Sequence, residues 1–168
     1  MNDTWNGGTA VVPGSYDPVT FGHLDIIERA ASVFETVVVA VVNKPVRKGS
    51  TTVFSTEERI EFIRAEVEKL ENVQVKSFDN LLVHFARENK ATAIVKGLRA
   101  ISDFEYEFEM NQLNRTMDPE IESIYLMSSP NFSFLSSSGV KELAMFGGDL
   151  SQLVPATVAK RLQEELQR

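Results

Sequence analysis

The sequence predicts an α/β protein: a single doubly wound, Rossmann-like sheet of five parallel strands with helices on both faces. Strand-like and helix-like segments alternate five times along the chain, which favours right-handed crossovers and an open parallel sheet. The run from Val37 to Val42 is β-branched apart from one alanine, a composition typical of a strand buried on both faces. With 168 residues, 43% of them hydrophobic, the chain suits one domain over residues 1–168.

The first strand and the turn after it organise the chain. An apolar strand from Thr9 ends at Pro13-Gly14, a turn crosses Asp17-Pro18, and an amphipathic helix begins near Gly22-His23. Backbone N–H groups would then face beyond the strand end, where an anionic ligand would lie. This stretch alone equally supports a simple strand–turn–helix with a capping histidine.

Capping patterns and periodicity predict the remaining elements. Ser55-Thr-Glu-Glu58 is a capping box ahead of a helix to about Leu70, and Ser102-Asp-Phe-Glu105 is a second box, opening a helix to about Met117. The second helix is apolar around most of its circumference, which predicts burial by a subunit interface as well as by the sheet. The other predicted segments are strands at 73–78, 92–96 and 122–127 and helices at 81–88, at 137–146 and after Pro155.

Composition excludes several classes of function. The absence of cysteine removes disulfides and thiolate chemistry, and two distant histidines disfavour a protein metal site. A net charge of −7 argues against a nucleic-acid surface. No apolar run approaches the roughly 20 residues that span a membrane. Residues 1–8 lack the pattern of a signal peptide, so we expect a flexible tail there and a cytoplasmic protein.

Four of the five loops that follow the strands carry phosphate-compatible groups. These loops are the Pro13–His23 turn, Asn43–Ser50 with three cations, Lys96-Gly-Leu-Arg99, and Ser128–Ser138 with its serine run before a helix. The remaining loop, Asp79-Asn-Leu-Leu82, is apolar. No carboxylate lies between Lys96 and Arg99, which favours an anionic ligand there. Because ligands of such sheets bind beyond the carboxyl ends of the strands, we predict a site for a polyphosphate and a second, partly apolar ligand.

Other chemistries fit the residues less well. Neither Ser15 nor the serine run at 136–138 lies in a nucleophile-elbow motif, and no acid is clearly placed to orient His23, which disfavours a Ser-His-Asp arrangement. The P-loop and GxGxxG fingerprints are absent. A non-catalytic nucleotide-binding module stays open as an alternative.

Four motifs together resemble those of the bacterial phosphopantetheine adenylyltransferase family. Thr20-x-Gly22-His23 and Ser133-Phe-Leu-Ser-Ser-Ser138 are shared by the wider nucleotidyltransferase superfamily, whereas Lys96-Gly-Leu-Arg99 followed by Asp103-Phe-Glu-Tyr-Glu107 points to this family. The resemblance implies that ATP and 4′-phosphopantetheine give dephospho-coenzyme A and pyrophosphate, in coenzyme A biosynthesis. A relative that activates nicotinamide mononucleotide or a phosphoalcohol is the alternative within the superfamily.

The resemblance also implies roles for single residues. The acceptor phosphate attacks in line without a covalent enzyme intermediate, and His23 stabilises the transition state. The residues implied for ATP are Ser15, Tyr16, His23, Gly97, Leu98, Arg99, Glu107, Phe132, Ser133, Phe134, Leu135, Ser136, Ser137 and Ser138. Those implied for phosphopantetheine are Ser15, Arg47, Leu82, Lys96 and Asn114, with Lys48 an alternative to Arg47. The family further implies Mg²⁺ carried on the ATP phosphates and a homohexamer, and leaves product feedback by coenzyme A open.

Overall fold

One five-stranded sheet forms the centre of the computed structural model, which describes residues 7–44 and 52–166 without the side chain of Ser102. The strands are β1 (Thr9–Gly14), β2 (Thr36–Val42), β3 (Val73–Phe78), β4 (Ala91–Leu98) and β5 (Glu122–Met127). Their order is β3-β2-β1-β4-β5, and every neighbouring pair is parallel. The predicted fold class is confirmed, and the carboxyl ends of all five strands lie at one edge.

Helices follow the strands as the periodicity predicted. They are α1 (Phe21–Val33), α2 (Thr56–Val67), α3 (Leu82–Glu88), α4 (Ile101–Met117), α5 (Ser137–Met145) and α6 (Ala156–Leu166), with a short 3₁₀ helix at Pro130–Phe132 that was not predicted. The capping box of α2 is confirmed, because Ser55 accepts from the Glu58 N–H at 3.2 Å and Glu58 accepts from the Ser55 N–H at 3.1 Å. None of the helices in the described ranges is long and apolar enough to cross a membrane.

The two faces of the sheet carry separate cores. On one face Val12, Val39 and Val95 pack with side chains of α1, α2, α5 and α6, among them Ile27, Ile63, Val140 and Leu162. On the other face Val11, Val38 and Ile94 pack with Val83 and Phe85 of α3. Strand β2 supplies both cores, since its residues 37–41 are all buried, as its β-branched run predicted.

Helix α4 differs from its prediction in two respects. It begins at Ile101, with Ala100 as an N-cap that makes no side-chain hydrogen bond, so the capping box at 102–105 is wrong. The carboxylate of Asp103 instead accepts the backbone N–H of Arg99 at 3.2 Å. The sheet also leaves the apolar side chains of α4 uncovered: Phe104 and Phe108 are each 55% exposed.

Two predicted features fall wholly or largely outside the described residues. Residues 1–6 of the predicted tail are not described, whereas the Gly8 carbonyl accepts a hydrogen bond from the Thr36 N–H at 3.2 Å. Arg47 and Lys48, the predicted cations of the second loop, lie in the undescribed stretch 45–51. Their predicted roles stay predictions.

Candidate functional site

The site lies where the order of the strands reverses. From β1 the chain moves outward through β2 to β3, whereas β4 and β5 occupy the other side of β1. A crevice opens at such a reversal, beyond the carboxyl ends of the two central strands. The turn after β1 and the Lys-Gly-Leu-Arg segment at the end of β4 therefore converge on one place.

His23 is held by a capping box with Thr20, the N-cap of α1. The Thr20 side-chain oxygen accepts the His23 backbone N–H at 3.3 Å, and the Thr20 backbone N–H donates to Nδ1 of His23 at 3.0 Å. Because a backbone amide can only donate, Nδ1 carries no proton in this arrangement, and in the neutral ring the proton lies on Nε2. The imidazole thus offers one N–H donor, at Nε2.

The surroundings of this histidine keep it neutral. Burial and, to a smaller extent, the positive charge of Arg99 lower the pKa of His23 to about 4. The positive end of the α1 dipole acts in the same direction. At neutral pH the ring is a neutral hydrogen-bond donor rather than a cation.

Tyr16 supports the histidine from inside the protein. Its side chain is 2% exposed, its hydroxyl donates to the Val12 carbonyl at 2.9 Å, and its ring meets that of His23 edge-on, with 5.0 Å between centroids. The backbone of Tyr16 has a φ of 52°, in the left-handed region. A Cβ at Gly14 would lie 3.0 Å from the Tyr16 ring, so this packing needs a glycine there.

Asp17 fixes the same turn, a role that no pattern in the sequence indicated. The carboxylate is 4% exposed and accepts the backbone N–H groups of Val53 and Phe54, each at 2.9 Å. It also accepts a hydrogen bond from the ammonium of Lys141, on α5, at 3.2 Å. The segment before α2 and the helix α5 are therefore both tied to the turn after β1.

The three serines at the start of α5, residues 136–138, differ in their hydrogen bonds. Ser136 is the N-cap and accepts the Gly139 N–H at 3.0 Å. Ser137 donates its hydroxyl to the Pro18 carbonyl at 2.8 Å. Ser138 is exposed, and within the part of the chain that the structure describes its hydroxyl makes no hydrogen bond. Ser138 is therefore the member of the run whose hydroxyl is best placed to meet an anion.

Arg99 joins the end of β4 to the loop before α5. Its Nε donates to the Asp103 carboxylate at 3.1 Å, and its Nη1 donates to the Leu135 carbonyl at 2.5 Å. Leu135 is itself 5% exposed. The guanidinium consequently lies beside the residue that leads into the serine run, near enough to His23 to affect its pKa.

Lys96 and Glu107 form an ion pair across the same region. The Lys96 ammonium donates to Oε2 of Glu107 at 2.7 Å, and both side chains are 18% exposed. The sequence places no carboxylate between Lys96 and Arg99, yet both cations have carboxylate partners in the structure. The partners, Glu107 and Asp103, come from the following helix α4 rather than from between the two cations.

The other predicted contact residues lie on β4, α3 and α4. Gly97 and Leu98 end β4, and a Cβ at Gly97 would lie 3.0 Å from the side chain of Ile26. Leu82 opens α3 and packs, half-buried, against the second core; its predicted contact with the second ligand stays a prediction. Asn114, on α4, is 6% exposed.

The loop before α5 offers both packed and exposed groups. The Phe132 ring lies 6.5 Å from that of Phe21, and the Ser133 hydroxyl donates to the Pro130 carbonyl at 3.2 Å. Phe134 is 71% exposed and borders an apolar groove of 350 Å³ together with Phe146. This loop therefore presents an aromatic ring to solvent beside the serine run.

Arg59 was missed at the sequence level. It lies on α2, four residues before Ile63, yet its side chain is 1% exposed and its Nη1 donates to the Ser15 carbonyl at 2.7 Å. A cation on the apolar face of a predicted helix was the available signal, since arginine is almost never fully buried without a reason.

A family model and individual named proteins both match most of this chain. A family model described as Cytidylyltransferase-like matches residues 11–143. A protein of Caldanaerobacter subterraneus subsp. tengcongensis named phosphopantetheine adenylyltransferase is 49% identical over 159 residues, which cover 95% of this chain and 98% of that protein. A Heliobacterium modesticaldum protein of the same name is 50% identical over 156 residues, covering 93% and 91% of the two chains.

Solved structures share the architecture at much lower identity. Plasmodium falciparum nicotinic acid mononucleotide adenylyltransferase complexed with NaAD superposes with a TM-score of 0.65, covering 95% of this chain and 96% of that one. Because the two sequences are only 12% identical, this likeness shows the fold alone.

Proposed function

The chain belongs to the phosphopantetheine adenylyltransferase family, within the Cytidylyltransferase-like proteins, and we propose that it catalyses the reaction for which the family is named. An oxygen of the 4′-phosphate of phosphopantetheine attacks the α-phosphorus of ATP. The bond from that phosphorus to the oxygen bridging to the β-phosphate breaks, pyrophosphate leaves, and dephospho-coenzyme A forms in the pathway to coenzyme A.

The observation that carries this proposal is the neutral Nε2–H donor of His23 in the first turn of α1. A donor fixed in advance stabilises charge as it develops on the α-phosphate, without reorganisation during the reaction. The attacking phosphate is already an anion, so no base is needed. A histidine whose pKa is about 4 suits donation. Because the nucleophile belongs to the acceptor, we propose direct in-line transfer without a covalent enzyme intermediate.

The ATP phosphates are proposed to lie between the end of β4 and the start of α5. The Arg99 guanidinium, the exposed Ser138 hydroxyl and the positive end of the α5 dipole support this placement. The further ATP contacts, proposed from the resemblance, are Ser15, Gly97, Leu98, Glu107, Phe132, Ser133, Phe134, Leu135, Ser136 and Ser137. At Tyr16 the contact is confined to the backbone, since the ring is buried.

The acceptor is proposed to approach from the side of Ser15 and Lys96. The Ser15 hydroxyl and the Lys96 ammonium would hold its phosphate with Arg47, while Leu82 and Asn114 contact the pantetheine arm. Lys96 pairs directly with Glu107 at 2.7 Å, and Glu107 is assigned to ATP. The two substrates therefore meet at this ion pair, as in-line attack requires.

Mg²⁺ is proposed to arrive as part of the substrate, bound to the ATP phosphates, where it would neutralise their charge. Among the residues in the described ranges, no three His, Asp or Glu side chains group so that they could hold a metal ion. Asp17, the buried carboxylate of the turn, already accepts two backbone N–H groups and an ammonium. Its oxygens are therefore engaged by the protein itself.

A homohexamer is proposed from the family resemblance, and the exposed apolar side chains of α4 are consistent with assembly. Because coenzyme A contains the phosphopantetheine arm, we expect it to compete for the acceptor groups. A cytoplasmic location remains a prediction.

The deciding experiment is pyrophosphate release from Mg-ATP with each acceptor in turn. We expect release with 4′-phosphopantetheine and none with nicotinamide mononucleotide or a phosphoalcohol. No release with phosphopantetheine would overturn the proposal, and ATP binding without turnover for any acceptor would indicate a nucleotide-binding module.

A further inference from the structure

Arg59 is a fully buried cation that no carboxylate pairs with among the residues in the described ranges. It lies on the face of α2 that also carries Ile63 and Val67, which are buried in the core. Burying a charge is unfavourable unless its donors are satisfied, so the partners of this guanidinium matter.

Every N–H of the Arg59 guanidinium has an acceptor, and all the acceptors are uncharged. Nη1 donates to the carbonyls of Ser15 at 2.7 Å and Val42 at 2.9 Å. Nη2 donates to the Asn43 carbonyl at 3.2 Å and the Thr56 hydroxyl at 3.0 Å. The fifth bond runs from Nε to the Ser55 carbonyl at 3.3 Å.

These acceptors join two neighbouring strands at the edge of the site. Ser15 follows β1 directly, Val42 ends β2 and Asn43 follows it. Gly14 and Val41 lie opposite each other in the ladder. The planar, rigid guanidinium of Arg59 therefore sets the spacing between the turn that contains Ser15 and the start of the second loop at Asn43. The fork geometry of arginine suits this task, whereas an ammonium cannot reproduce it.

We propose that Arg59 is the positioning residue of the acceptor-phosphate subsite: it holds Ser15 and the start of the second loop in register. The proposal rests on the proposed function, since it concerns the acceptor. Ser15 is also proposed to contact ATP, but the part of the ATP site between β4 and α5 is held by other contacts, Arg99 to Leu135 and Ser137 to Pro18. Loss of Arg59 should therefore affect ATP less than the acceptor.

The test compares Arg59→Lys and Arg59→Met with the matched variants Arg64→Lys and Arg64→Met. Arg64 lies on the same helix and also donates to a strand carbonyl, that of Val75 at 3.1 Å, but on β3 and away from the site. Pyrophosphate release is measured with each substrate varied in turn, well below the lowest melting temperature of the set. Hydrogen exchange of residues 14–17 is measured without substrate.

For Arg59→Lys we expect the KM for phosphopantetheine to rise about 10- to 100-fold, because charge-assisted hydrogen bonds are lost, while the KM for ATP changes less than about threefold. Exchange at residues 14–17 should become faster. Arg59→Met should raise the KM for phosphopantetheine further than Arg59→Lys does. Both Arg64 variants should leave the two KM values unchanged.

Equal changes in the two KM values, or none, in a folded Arg59 variant would overturn the proposal. If Arg59→Met does not fold, Arg59→Lys decides. A wild-type protein that does not use phosphopantetheine would instead refute the proposed function, and unchanged exchange at residues 14–17 in Arg59→Lys would then refute the positioning role by itself.

Discussion

The backbone N–H of Thr20 donates to Nδ1 of His23 at 3.0 Å. One hydrogen bond thereby completes the helix cap and sets the tautomer of the ring. The residue proposed to stabilise the transition state is also a structural part of the first turn of α1. The structural role of His23 in the helix cap and its proposed role in the transition state can be measured separately.

Removal of the His23 ring should act on the chemical step. For His23→Ala we expect kcat to fall about 10²- to 10³-fold, the usual loss for one transition-state donor, with ATP affinity retained in an equilibrium titration. His84→Ala is the control, since His84 is the other histidine and is exposed on α3. An unchanged kcat in His23→Ala would contradict the assigned role.

The low pKa of His23 predicts a pH dependence of stability. Its folded-state pKa is about 4, below the ordinary 6.5, so the unfolded chain binds a proton first as the pH falls. Stability is then lost between pH 6.5 and about 4. Between pH 7 and pH 5, the melting temperature of the wild type should fall further than that of His23→Ala. An equal fall in the two proteins would contradict the low pKa of His23.

Loss of the Lys96 ammonium should weaken the use of phosphopantetheine more than the use of ATP. In Lys96→Ala we expect a larger increase in the KM for phosphopantetheine than in the KM for ATP, because the cation is assigned to the acceptor phosphate. Separate titrations of the two substrates measure this. Lys76→Ala is the control, since Lys76 is exposed on β3 and donates to Asn89. The opposite order would reverse the assignment.

Substitutions of Ser136 and Ser138 should have different effects on stability and on the KM for ATP. Ser136→Ala removes an N-cap and should cost about 1 kcal/mol of unfolding free energy. Ser138→Ala removes an exposed hydroxyl, so it should leave stability unchanged and raise the KM for ATP. Urea denaturation and steady-state kinetics measure the two effects. A loss of stability in Ser138→Ala, with no change in KM, would contradict this division.

The apolar surface of α4 should be the site of assembly. Phe104 and Phe108 stack with 6.0 Å between ring centroids while each is 55% exposed, so a charge in their place should oppose association. For the proposed homohexamer, we expect Phe108→Glu to give smaller species than the unsubstituted protein in sedimentation velocity. Phe146→Glu, at an 82% exposed position after α5, is the matched control. Dissociation by Phe146→Glu alone would place the interface elsewhere.

Local signals in the sequence predicted the elements well. The β-branched run of β2 and the capping box of α2 depend on neighbours a few residues apart, and both are present. The false box at 102–105 shows the limit of such patterns. A serine followed three residues later by a glutamate also occurs within helices, and in this protein Asp103 satisfies the Arg99 N–H outside the helix.

The contacts that shape the site could not be predicted in this way. Asp17 reaches Val53 and Phe54 across 36 and 37 residues, and Ser137 reaches Pro18 across 119. Arg59 meets Ser15 across 44 residues. Such pairs follow from the way the strands are ordered, and periodicity along the chain carries no information about them. The motifs around His23 were visible because the groups they supply are contiguous.

The capping box at Thr20 and His23 places stability and activity in conflict at one position. Glutamate or glutamine is the usual partner at the third helical position of such a box, so a screen for thermal tolerance would favour either one at position 23. Such variants would gain a better cap and lose the Nε2–H donor. Selection for heat resistance alone would therefore drive this enzyme toward a well-folded form of low activity, and any library over α1 needs turnover as a second criterion.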